Sequence, residues 1–144
     1  MCSDWSDDED MQKIIRNLYC KANTLVRKFT FCSESIRVYL FQMYCGNIYC
    51  SSLWCNYKQT TYNKIRIAYN NAFRILIHLP TFCSASNMFV SRNTLTFEVL
   101  LRRNGQSLMQ RIRNSNNLFV STIFNSDVHV MSVLFKRFRS LLFI

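Results

Sequence analysis

Thr61-Tyr62-Asn63-Lys64-Ile65-Arg66-Ile67-Ala68-Tyr69-Asn70-Asn71-Ala72-Phe73-Arg74-Ile75-Leu76-Ile77-His78-Leu79, closed by Pro80, decides the fold. With about 100° of rotation per residue, Tyr62, Ile65, Tyr69, Ala72, Phe73, Leu76 and Leu79 gather on one side, and Lys64, Asn71, Arg74 and His78 on the other. This two-sided pattern predicts an amphipathic helix over residues 61–79. Pro80 ends it, because proline has no N–H to donate and its ring clashes with the preceding turn.

The same period recurs on both sides of this helix. Met11, Ile14, Ile15, Leu18, Ala22, Leu25, Val26 and Phe29 form an i, i+3, i+4, i+7 series that predicts a long first helix. Its acids lie at the N-terminal end and Arg27-Lys28 at the C-terminal end, so both ends complement the helix dipole. Ser33 is placed to cap a second helix with Ile36, Leu40 and Met43 on one face, interrupted at Gly46-Asn47. No charged residue occurs from Val38 to Tyr57, but Gln42, Gly46, Asn47, Ser51, Ser52 and Asn56 punctuate that run. A buried helix pair is expected there rather than a membrane span, since spanning segments seldom carry so many polar groups.

Beyond Pro80, Ser84 is placed to cap a short helix through Val90, and Thr96 a longer one through Phe97, Leu100 and Leu101 toward Leu108 and Ile112, with Gly105 as a weak point. Arg111 and Arg113 follow on it. Residues 114–117 read as a polar connector, and Asn125-Ser126-Asp127 as a second break. Val128, Met131, Leu134, Phe135, Phe138, Leu141 and Leu142 make a last apolar face beside Lys136, Arg137 and Arg139. No strand pattern of convincing length is present. The expected architecture is all-α, an irregular bundle of about six or seven helices. It divides into an acidic segment 1–10, a helical region 11–113, and a connector with a C-terminal amphipathic helix over 114–144.

Composition agrees, with 49% apolar residues but only 2 Gly and 1 Pro among 144 positions, against both disorder and a turn-rich β fold. Charge is lopsided. Five of the eight acids fall in the first ten residues, so residues 11–144 carry 18 basic against 3 acidic side chains, a net +15. Such a surface attracts polyanions, nucleic acid first and anionic membrane second.

The seven cysteines come without a leader-like start, the first ten residues being acidic and lacking an apolar core. An intracellular chain with reduced thiols, in cytoplasm or nucleus, is therefore expected. Cys45, Cys50 and Cys55 are evenly spaced, but steps of five scatter them around a helix, and no Cys-x-x-Cys pair occurs. Neither zinc nor any other cofactor is expected.

Catalytic templates fit poorly. Trp5-Ser6-Asp7-Asp8 imitates the aromatic-x-Asp-Asp signature that holds metal ions in polymerase palms, yet a helix begins directly after it and no earlier strand supplies a third carboxylate. Gly46 and Gly105 form no phosphate-binding loop. His78 and His129 are isolated, and a Cys83–His78 pair lacks a local signature. What remains is the interleaving of Tyr57-Lys58, Tyr62, Lys64, Arg66, Tyr69 and Arg74. It offers cations for phosphate contacts; Tyr62 and Tyr69 fall on the apolar side, whereas Lys64 and Arg74, with Lys58 beside them, are expected to face outward.

Three further stretches carry a resemblance. Leu53-Trp54-Cys55-Asn56-Tyr57-Lys58, Ile67-Ala68-Tyr69-Asn70-Asn71-Ala72-Phe73-Arg74 and Cys83-Ser84-Ala85-Ser86-Asn87-Met88-Phe89-Val90 resemble, in order and spacing, the region downstream of the palm in reverse transcriptases of non-LTR (LINE-type) retrotransposons. Arg27-Lys28-Phe29, Thr96-Phe97-Glu98 and Leu100-Leu101-Arg102-Arg103 extend the likeness; after about Asn117 it is weak. The resemblance implies a helical thumb-like segment that grips a template–primer duplex. Finger, palm and endonuclease parts are then expected upstream of Met1, leaving a non-catalytic fragment that performs no DNA synthesis itself. Departures occur at Gly46-Asn47, where the family often has Pro, at Asn93-Thr94-Leu95, where it usually has Gly-Val-Pro, and at Thr81-Phe82, which keeps only an aromatic. The candidate RNA- or DNA-contacting set is Arg27, Lys28, Lys58, Lys64, Arg66, Arg74, Arg102 and Arg103. Two other readings stand beside this one: a membrane-associated basic helical protein using residues 38–57 and 128–144, and a product without selected function.

Overall fold

The computed structural model describes residues 7–48, 51–54, 57–125 and 136. Among them the chain is all-α: α1 Asp8–Lys28, α2 Glu34–Tyr44, a 3-10 turn Ser51–Leu53, α3 Gln59–Ile77, α4 Ala85–Val90, α5 Phe97–Arg113 and α6 Leu118–Asn125. It divides into two compact units, one comprising Met1–Tyr49 with Asn56–Phe97, the other Cys50–Cys55 with Glu98–Ile144.

In the first unit α1 begins with Asp8, Glu9 and Asp10 in its opening turn and ends on Arg27 and Lys28, as the dipole favours. Met11, Leu18, Ala22 and Leu25 are its buried stripe. The N-termini of α1 and α3 meet where Asp8 Oδ1 accepts the backbone N–H of Lys58 at 3.0 Å. Lys58 is the N-cap of α3 and makes no side-chain cap bond there, and the first turn of α3 holds no acid. The Asp8 carboxylate from α1 therefore supplies the negative charge that the α3 N-terminus lacks.

Helix α3 runs two residues earlier at each end than its pattern suggests, and buries Thr61, Ile65, Ala68, Tyr69, Ala72, Phe73, Leu76 and Ile77. Its last residue, Ile77, stands three positions before Pro80. His78 takes the left-handed conformation at φ 57°, and Leu79 N–H reaches back to Arg74 O at 3.0 Å, satisfying a carbonyl at the helix end.

Helix α2 turns a different face inward from the one expected. Ser33 does cap it, its hydroxyl accepting Ile36 N–H at 3.4 Å, but Val38 and Phe41 are buried, whereas Ile36 is 50% and Met43 59% exposed. The reason is Phe41. Its ring sits edge-on to Tyr69 (5.2 Å, 60°) and Phe73 (4.9 Å, 63°) of α3, the geometry in which aromatic quadrupoles attract. Phe89 of α4 stacks on Phe73 at 4.9 Å and on Tyr69 at 5.8 Å. Phe97 and Tyr62 continue the column toward Tyr57.

The expected buried helix pair in residues 38–57 is also corrected, for among the described residues of that run α2 is followed only by a 3-10 turn. Gly46 ends α2 by close approach, since a Cβ there would stand 2.4 Å from Gln42 O. No described helix is long and apolar enough to cross a membrane.

In the second unit α5 passes through Gly105 without a break, and Ser51 Oγ accepts from Asn104 Nδ2 at 3.1 Å. Helix α6 was not anticipated, although Asn117 announces it: Oδ1 accepts Phe119 N–H at 2.9 Å and Val120 N–H at 3.4 Å, as N-cap side chains do. The final apolar face from Val128 to Leu142 lies outside the described residues, Lys136 excepted, as do His129, Cys2, Cys50, Cys55, Trp5 and Ser6.

Phe41→Ala is expected to cost about 3–5 kcal/mol in denaturant unfolding, the range for deleting a well-packed core ring. His78→Gly is expected to stabilise by about 1 kcal/mol by relieving the left-handed penalty, raising Tm by roughly 3 °C in calorimetry.

Candidate nucleic-acid interface

The eight cations singled out in the sequence do not form one surface. Arg27 and Lys28 are exposed in the last turn of α1, Lys58 and Lys64 are exposed at the start of α3, and Arg103 is exposed in the second unit. None of these five side chains makes a hydrogen bond or ion pair with another described residue. Arg66 is also exposed. Its two-residue step from Lys64 turns it about 200° around the helix, so these two cannot serve one strand side by side. Arg102 is half-buried and engaged by a partner within the chain.

Arg74 departs from expectation. Its guanidinium folds onto the protein, Nη1 donating to Asn71 Oδ1 at 2.9 Å and Nη2 to Cys83 O at 2.7 Å, with Nε buried. It ties the end of α3 to the loop after Pro80, because a guanidinium can serve several acceptors of a folded loop at once. Two arginines that sequence reading passed over act in the same way. Arg37 Nη1 donates to Leu76 O at 3.2 Å, satisfying a terminal carbonyl of α3, and Arg92 Nε pairs with Glu34 Oε1 at 2.6 Å.

The expected core positions of the tyrosines hold in part. Tyr69 is buried, its hydroxyl donating to Leu95 O at 3.4 Å. Tyr62 is half-buried and stacked on Tyr57 at 5.7 Å. Neither ring is open for stacking on a base.

An open concavity lies elsewhere, along the second half of α1. It encloses about 430 Å³ and is lined by Cys20, Lys21, Leu25, Lys28, Phe29 and Tyr44, with Asn17 and Thr24 beside them. Asn17, Lys21, Thr24 and Lys28 recur at i, i+4, i+7 and i+11 on α1, so this polar stripe was present in the sequence but overshadowed by the apolar series. Lys21 Nζ donates to Tyr44 O at 3.0 Å, fixing the end of α2 against α1. A smaller hollow of about 70 Å³ adjoins through Asn17 and Lys21 and reaches Cys45.

Cys45 is 2% exposed. Burial pushes its thiol up to about 11, opposed by the positive charge of Lys21. The folded state thus holds this proton more tightly than the unfolded chain. That contribution to stability is complete below the ordinary thiol pKa of 9.0 and is lost as pH rises through about 11. Cys20 is exposed. Among the described residues no cluster of three or more His, Cys, Asp and Glu side chains is placed to hold a metal ion. Asp7 and Asp8 stand at the start of α1, not on a hairpin between strands.

Comparison with protein-family models, with curated proteins and with solved structures finds no match to this chain.

Treatment of the native protein with iodoacetamide at pH 8 should modify Cys20 and leave Cys45 intact until denaturant is added. Peptide mass spectrometry checks this, and early modification of Cys45 would contradict its burial.

Proposed function

We propose that the chain is a non-catalytic, thumb-like segment derived from a non-LTR retrotransposon reverse transcriptase, and that it holds RNA or DNA through nonspecific backbone contacts. The observation that carries this reading is the charge of the sequence after its acidic start, 18 basic against 3 acidic side chains over residues 11–144. Among the described residues, the exposed side chains of Arg27, Lys28, Lys58, Lys64 and Arg103 make no hydrogen bond or ion pair within the chain. Unpaired surface cations are the ones that can displace counterions from a phosphate chain.

The motif series supports the origin half of the proposal. Asn93, which stands where the family usually has Gly, takes φ 48°, a conformation glycine adopts freely and asparagine tolerates better than most residues. The substitution falls where the backbone accepts it.

Binding to a primer–template duplex should weaken steeply as salt rises, with log K falling linearly against log salt. Lys28→Ala and Lys64→Ala should each reduce that slope by about 1. Arg74→Ala should leave the slope unchanged and lower Tm instead, because this guanidinium braces a loop. No affinity at low salt, or affinity indifferent to salt, would sink the proposal.

A further inference from the structure

We infer that the concavity on α1 receives an unstacked base of a single-stranded nucleic acid, with Lys21 and Lys28 contacting the phosphates on either side. This rests on the nucleic-acid reading above and names the form of the ligand. Its volume of about 430 Å³ falls in the range of roughly 300–1,000 Å³ typical of small-ligand sites. Leu25, Phe29 and Tyr44 provide apolar wall, and no acid is among the described residues lining it.

The cations are arranged for a repeating anion. Lys21 and Lys28 both line the concavity and stand seven residues apart on one helix, with Leu25 between them, about 10 Å along its axis. A single-headed amphiphile would need only one of them. Lys28 makes no hydrogen bond or ion pair with any described residue. Lys21 spends one proton on Tyr44 O, and an ammonium has three. Both therefore retain donors for phosphate oxygens.

Tyr44 supplies the stacking surface. It is 57% exposed and makes no contact with another ring among the described residues, unlike Tyr57, Tyr62 and Tyr69, whose faces are already occupied. A base held in a duplex is stacked on its neighbours and cannot present its face to this ring, whereas one in a single strand can.

The test uses the full chain, with an oligo(U) single strand and a blunt RNA duplex of equal length as probes. Tyr44→Ala should weaken oligo(U) binding roughly tenfold, within the span seen when a stacking ring is removed, and leave duplex binding unaltered. Tyr44→Phe should restore the single-strand affinity. Because Cys20 lines the same concavity, its alkylation in the wild-type chain should slow with oligo(U) and not with the duplex. Equal weakening of both ligands by Tyr44→Ala, or salt-dependent oligo(U) binding with Cys20 alkylating at an unchanged rate, would overturn the inference and leave backbone binding standing. Protection of Cys20 by oleate and not by oligo(U) would reassign the groove to an amphiphile. Absence of binding to either nucleic acid would remove both proposals together.

Discussion

The edge-on seating of Phe41 against Tyr69 and Phe73 is the contact on which the first unit depends. A ring of that size has one favourable pocket in a close-packed interior, and occupying it fixes the rotation of α2 about its own axis. Everything else that α2 does follows from this angle. Arg37, one turn before Phe41, is brought to the Leu76 carbonyl at the end of α3. Tyr44, nearly one turn after it, offers its carbonyl to Lys21, and the groove on α1 acquires its far wall. A slip of α2 by one residue would lose the aromatic contact and all three consequences together.

The legible and illegible parts of this fold divide along a physical line. Helices α1 and α3 were readable because charged and apolar residues alternate along them with a period that only a helix satisfies. Helix α2 was readable as a helix but not as a face. From Val38 to Tyr44 it has no charge, so hydrophobicity favours no side and the choice falls to shape. Shape complementarity between Phe41 and two rings about thirty positions away leaves no trace in local sequence. The fate of Arg74 was hidden for a related reason: a helical wheel places its Cα on the outer side, while the guanidinium is long enough to fold back onto Asn71 and Cys83. The cap at Asn117 was a local signal and could have been read.

Net charge treats all basic residues alike, but the structure sorts them. Arg37, Arg74 and Arg92 are tied to carbonyls or to a carboxylate of the chain, whereas the exposed side chains of Arg27, Lys28 and Lys64 make no hydrogen bond or ion pair with a described residue. The candidate site was therefore partly legible. Arg27 and Lys28 were legible as exposed cations because a helix end favours them, whereas the place of Lys21 beside the groove was hidden because its neighbours Ala22 and Leu25 carried the stronger pattern. The concavity exists only once α2 is docked, so no reading of α1 by itself could have delineated it.

The division of the chain has a consequence for synthesis. The first unit is complete in sequence at Phe97, yet residues 50–55 within that span belong to the second. Ser51 must wait for Asn104 before its hydroxyl is engaged. A chain emerging from the ribosome can thus assemble α1 to α4 while this short excursion stays unmatched until much of α5 has followed. The coding order and the order of structural completion differ. Cutting after Phe97 would release every residue of the first unit together with residues 50–55, a segment parted from the rest of its own unit.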